Sequence, residues 1–219
     1  MIMIEFYKHL SFNRLFWIFF IGNFLGVVVE TIWCVLRNRK LESRKGLIYG
    51  PFNLVYGFGA LIMTLSLSFM CGQRDLYVFV AGALIGGLYE YLCSIIQEKF
   101  LGSTSWNYKR LPLNLNGRIN LLYCIFWGIL ALLWVKDLYP ALSRLIDMIP
   151  DNYQTSLSVP CLIFIIYDSF ISAAAVYRTS KRLKGEPPRT KFDTFLDKRY
   201  PTERVRKIYP NMVFESEKS

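Results

Sequence analysis

The 219-residue chain is 53% hydrophobic and 16% aromatic, with only 19% charged residues and a mean hydropathy of +0.30. That balance excludes an ordinary soluble domain of this length and indicates a polytopic membrane protein. Its net charge of +10 is unevenly spread, and the single histidine, His9, lies outside every apolar stretch, which excludes serine-histidine chemistry and a histidine-rich metal centre.

After a short polar segment, 1–14, five apolar stretches reach the roughly 20 residues needed to cross a bilayer: 15–36, 52–71, 76–96, 119–138 and 159–177. The predicted fold is therefore an all-α polytopic membrane protein, with a duplicated four-helix core over 15–138 and a fifth helix at 159–177. No small-residue cleavage site follows the first stretch, so it is read as retained. Its bulky residues, Leu15, Phe16, Trp17, Phe19 and Phe20, suit lipid. Gly22, Gly26 and Glu30, spaced by four, share another face. Glu30 precedes Arg37 by seven residues and so lies about 10 Å inside the helix end. A charge at such depth costs on the order of 2.5–3.5 kcal/mol and calls for a partner or a function. A basic loop with Arg37, Arg39, Lys40, Arg44 and Lys45 leads to Gly50-Pro51-Phe52-Asn53-Leu54, a helix entry that places Asn53 and then Tyr56 near a positive dipole end.

The third stretch repeats the first, with Gly82, Gly86 and Glu90 in the places of Gly22, Gly26 and Glu30. Pro112-Leu113-Asn114-Leu115 then follows Pro51-Phe52-Asn53-Leu54 at almost the same offset. Parallel repeats predict a pseudo-two-fold axis along the membrane normal, with Glu30 and Glu90 across it. Arg118, after Asn116 and Gly117, is expected to turn inward towards these acids, where its planar fork can bridge two carboxylates. The fourth stretch reads as scaffold. In the segment 139–158, Leu142, Leu145, Ile146 and Ile149 recur at helical spacing and predict a short interfacial helix. Asp168, beside Ser169 and Ser172, is a third acid within a span. The tail, 178–219, reads as a basic arm whose interleaved aromatic residues suit an anionic leaflet or a docking partner.

The first loop, the third loop and the tail carry most of the positive charge, which predicts an external N-terminus and a cytoplasmic C-terminus, with Lys8 and Arg14 opposing. These charges are read as topology and lipid contacts, with no nucleic-acid partner. Cys34, Cys71, Cys93, Cys124 and Cys161 stand singly, without metal or redox spacing, and no cofactor motif is present.

Glu30-Thr31, the stretch from Gly46 through Tyr56-Gly57-Phe58-Gly59, Glu90-Tyr91, Trp106-Asn107-Tyr108 and Leu115-Asn116-Gly117-Arg118-Ile119 resemble the bacterial family labelled putative ABC-transporter type IV, or CmpB-like permease. The resemblance covers about residues 12–135. The family's usual Trp-Asp-Tyr is Trp106-Asn107-Tyr108 here, so no acid stands at that place. The resemblance implies a cell-membrane transport component. Because the chain lacks Gly-x-x-x-x-Gly-Lys-Ser/Thr, a separate subunit would supply the ATPase, and the small size calls for a homo-oligomer or second membrane subunit.

The candidate binding residues are Glu30, Glu90, Arg118, Asn53, Asn114, Tyr56 and Asp168. The same residues admit two other functions. One is a membrane-embedded enzyme acting on a lipid or prenyl-type substrate, with a glutamate as acid or base. The other is a non-catalytic subunit whose buried polar groups fix helix packing.

Overall fold

The computed structural model describes residues 10–70 and 72–217, so the expectations resting on Lys8, His9 and Cys71 lie outside the described residues. The helices are α1 (Phe12–Asn38), α2 (Leu54–Leu67, continued by a 3-10 turn), α3 (Asp75–Leu101), α4 (Leu121–Leu133), α5 (Tyr139–Asp147), α6 (Asp151–Leu183), α7 (Lys191–Arg199) and α8 (Thr202–Ile208). Four two-residue strands complete the described fold: β1 (Ser103–Thr104), β2 (Asn114–Leu115), β3 (Ile119–Asn120) and β4 (Val213–Phe214). They pair antiparallel as β1 with β4 and β2 with β3.

Among the described residues, four helical stretches are long and apolar enough to cross a membrane: Phe12–Arg37, Asp75–Leu101, Leu121–Asp147 and Asp151–Leu183. The fifth apolar helix, Leu54–Met70, is shorter. The short helix expected within 139–158 is α5, continuous with α4 instead of detached from it. A π-helical turn, Trp134–Leu138, joins α4 to α5 in one rod, and Leu142 and Ile146 are buried against the bundle. Only Met148–Pro150 separates this rod from α6.

Two helical hairpins, α1 with α2 and α3 with α4, pack with their backbones close together. Glycines make this possible. A Cβ on Gly22 would meet that of Ala60 at 2.8 Å, and Gly26 lies against the Tyr56 ring. In the second hairpin Gly82 faces Ala131 and Gly86 faces the Trp127 indole. From the opposite side, a Cβ on Gly57 would stand 2.8 Å from the Phe19 carbonyl, and one on Gly128 would stand 2.8 Å from that of Phe79. By packing, then, Gly22 and Gly26 correspond to Gly82 and Gly86, whereas Tyr56, Gly57 and Ala60 correspond to Trp127, Gly128 and Ala131. The second helices are thus offset further along the chain than the first.

This register corrects the second half of the sequence repeat. Pro112-Leu113-Asn114-Leu115 is not a helix entry. Left-handed backbone at Leu113, Asn116 and Gly117 folds it into the β2–β3 hairpin, an insertion that makes the second loop longer than the first. The caps are Asn53, accepting from Val55 N–H at 3.2 Å, and Asn120, accepting from Tyr123 N–H at 3.0 Å. Relative to the packing, α4 starts one turn earlier than α2.

The long loops and the C-terminal residues gather at one end of the bundle. With 33 residues, α6 is about 50 Å long and exceeds the roughly 30 Å hydrocarbon core. Its last turns carry the tail, which is not the solvated arm expected. The tail folds back as α7, α8 and β4. Leu196, Tyr200, Val205, Tyr209 and Phe214 are buried with Ile48, Ile171, Ala175 and Val176. Arg178 donates twice to Asp197 at 2.9 Å, and Arg182 donates to the same carboxylate at 2.5 Å. At the other end Arg14 pairs with Asp147, and Lys136 with Asp75 at 2.6 Å.

Two outcomes are expected. Gly128→Ala forces a methyl into a backbone carbonyl and should cost about 1–3 kcal/mol, whereas Gly59→Ala, where a Cβ would approach Trp127 no closer than 3.4 Å, should be nearly neutral by thermal unfolding in detergent. Hydrogen bonds from Arg178, and secondarily from Arg182, hold the Asp197 carboxyl below its ordinary value. Stability from a depressed carboxylate is present above the unfolded pKa of about 3.9 and is lost as pH falls through the folded value. Protection of the tail from an acid-tolerant protease should therefore persist at about pH 5 and disappear below about pH 3. Asp197→Asn should remove protection even at neutral pH.

Candidate functional site

Each glycine face ends in a glutamate, and each glutamate is held by an aromatic donor from the neighbouring helix. Tyr56, packed on Gly26, donates its hydroxyl to Glu30. Trp127, packed on Gly86, donates Nε1–H to Glu90 Oε2 at 2.7 Å. Tyr56 and Trp127 are equivalent in the packing register. The repeat therefore keeps the carboxylate and the position of its donor, while the donor's chemistry changes from phenol to indole.

Beyond that shared contact the two sites differ. Glu90 is buried, and its other oxygen accepts from Tyr108 Oη at 2.8 Å. Tyr108 belongs to the inserted loop and stacks on Tyr123 with ring centroids 4.3 Å apart. Burial foremost, with the adjacent Glu90 charge, pushes the Tyr108 phenol far above its ordinary pKa, so it stays a donor. Glu30 is partly exposed and has Arg44 Nη1 at 3.9 Å. Among the described residues no cation forms an ion pair with Glu90, whose recorded partners are neutral donors.

The two hairpins touch beside both glutamates. Tyr89, beside Glu90, donates to the Val55 carbonyl at 2.7 Å, next to Tyr56, and its ring meets Trp127 edge-on at 6.1 Å. Glu30 with Tyr56, and Glu90 with Trp127 and Tyr108, thus form a polar seam of two carboxylate clusters flanking the contact that Tyr89 makes with Val55.

The remaining sequence-predicted residues are not all in this seam. Arg118 donates to Ser94 Oγ at 3.1 Å and pairs with Glu98, one and two turns beyond Glu90. Its expected bridge to Glu30 and Glu90 is therefore replaced by a pair with Glu98, because the β2–β3 hairpin sets its backbone past the end of the seam. Asn53 is a helix cap, and Asn114 closes the hairpin, donating to the Leu111 carbonyl at 2.7 Å and accepting from Gly117 N–H at 2.9 Å. Asp168 is fully buried among backbone donors: Ile48 N–H and Tyr49 N–H at 3.1 Å and Gly50 N–H at 2.7 Å, with Ser172 Oγ donating at 3.1 Å. It fixes the 46–50 loop to α6.

Tyr108, Trp127, Tyr89 and Arg44 were not among the predicted site residues. Trp127 had a usable signal, since it is the large aromatic residue immediately before Gly128 as Tyr56 is before Gly57, but aligning the two proline motifs hid it. Arg44 also donates to Cys34 Sγ at 2.9 Å, as Arg118 does to Ser94, and Cys34 and Ser94 each stand one helical turn past the glutamate of their repeat. Among the described residues no cluster of metal-ligating side chains occurs.

Residues 17–173 match the family model described as Putative ABC-transporter type IV, extending beyond the expected stretch into most of α6. No curated protein and no solved structure matches the chain.

Asp168→Ala should strand several buried N–H donors and lower stability by about 2–4 kcal/mol. Asp168→Asn, which keeps an acceptor, should recover part of that loss in the same thermal unfolding assay. Equal stability of all three forms would mean that Asp168 does not hold the loop.

Proposed function

The chain belongs to the Putative ABC-transporter type IV family, and from that premise we propose that it is a membrane transport component whose polar seam binds a proton or a small cation. The observation that carries the reading is the pairing of two glutamates at equivalent repeat positions, with Arg44 the one cation near them and Glu90 held by neutral donors alone among the described residues. Two carboxylates in low dielectric repel, and a proton or cation relieves that repulsion. Tyr56, which holds Glu30 and follows Val55, whose carbonyl accepts from Tyr89 beside Glu90, would be the group through which occupation at one glutamate alters the other.

In this reading the basic loops and the folded tail face the cytoplasm, with the N-terminus external. The pairing of Arg14 with Asp147 and Lys136 with Asp75 supports it, since positive charge at the opposite end is offset by acids. The chain carries no phosphate-binding loop motif, so a separate ATPase subunit would dock at the cytoplasmic end, and a second copy of the chain would complete the permease.

The test is purification of the tagged full-length chain from its host in mild detergent. An ATPase with a phosphate-binding loop is expected to co-purify, and Glu90→Gln should lower ATP hydrolysis by the complex at least tenfold while assembly persists. Absence of an ATPase, together with lipid extracts that differ between cells with and without the chain, would replace transport by lipid-directed enzymology.

A further inference from the structure

Beyond the carboxylate seam, at the loop end of α3, a half-open cavity of about 110 Å³ lies between α3, β1 and the β2–β3 hairpin. Its wall includes Ser94, Glu98, Thr104, Asn107, Lys109 and Arg118. Thr104 is 4% exposed, and its hydroxyl has no hydrogen-bond partner. A buried polar group in that state, in a residue of the cavity wall, carries an uncompensated desolvation cost. Arg118 is neutralised by Glu98, which leaves the Lys109 ammonium, without an ion pair among the described residues, as the surplus charge of the wall. The wall therefore offers hydroxyl, amide, ammonium and guanidinium donors around a space smaller than a benzene-sized cavity of about 150 Å³, with net positive charge.

We propose that this cavity binds a phosphate group. A tetrahedral oxyanion uses donors from several directions at once, as the wall supplies, and the Lys109 ammonium provides the surplus positive charge it needs. Trp106 also lines the cavity and donates Nε1–H to the Arg118 carbonyl at 2.9 Å, which fixes the backbone of the arginine. Phosphate would reach the cavity either as free inorganic phosphate or as the head group of an anionic phospholipid.

The experiment uses the full chain in detergent, following its melting temperature. Probes are inorganic phosphate, sodium chloride at matched ionic strength, and nanodiscs of phosphatidylglycerol against nanodiscs of a phosphate-free glycolipid. A saturable rise with inorganic phosphate identifies the free anion, and a rise confined to phosphatidylglycerol identifies the lipid head group. In either case Lys109→Ala, at an exposed position, and Thr104→Val, which removes only the unpartnered hydroxyl, should each weaken the effect at least tenfold in half-saturating concentration or lipid fraction. Shifts equal to those with chloride and glycolipid, or unchanged in both variants, overturn the proposal.

Discussion

The structure depends on one constraint: two glutamates must sit inside apolar helices, and each must find a donor without an intervening water layer. Glycine resolves it. Because Gly26 and Gly86 have no side chain, the next helix approaches until an aromatic ring lies against the backbone and its polar edge reaches the carboxylate one turn further on. A larger residue at either place would separate the helices, and the glutamate would lose its donor. Packing and polar satisfaction are therefore one interaction here, made twice.

From that duplication follows an asymmetry. The first hairpin offers Glu30 a phenol and a nearby arginine, whereas the second offers Glu90 an indole plus Tyr108 from an inserted loop. One acid is partly open and near a cation; the other is enclosed by neutral donors. Identical repeats would give two equal sites, but divergence of donor and loop gives two acids of different character.

Much of this was legible in the sequence. The recurrence of Gly22-Gly26-Glu30 as Gly82-Gly86-Glu90 identified the helices and the face that meets its neighbour, because small residues and an acid at a spacing of four have few other uses in an apolar span. The second helices were misaligned. Pro112-Leu113-Asn114-Leu115 copies the letters of Pro51-Phe52-Asn53-Leu54, yet its backbone turns left-handed at Leu113 and Asn116, and its likeness masked the Trp127-Gly128 pair that packing shows in the place of Tyr56-Gly57. Asp168 was visible as a buried acid, but its partners are backbone N–H groups, which carry no sequence signature. The tail's charges pointed outward, while its burial rests on scattered apolar residues that find Ile48 and the end of α6 only in three dimensions.

The register of the second repeat is the claim on which the site rests, and cysteine cross-linking in membranes on a cysteine-free background measures it directly. The pair Gly82→Cys with Ala131→Cys should cross-link as Gly22→Cys with Ala60→Cys does, each after its helices ease apart by about 1–2 Å to the Cβ separation of a disulfide, since both bring a glycine face onto an equivalent alanine. Cross-linking of Gly82→Cys with Asn120→Cys instead, as a repeat of uniform offset would require, would contradict the account and remove Trp127 from Glu90.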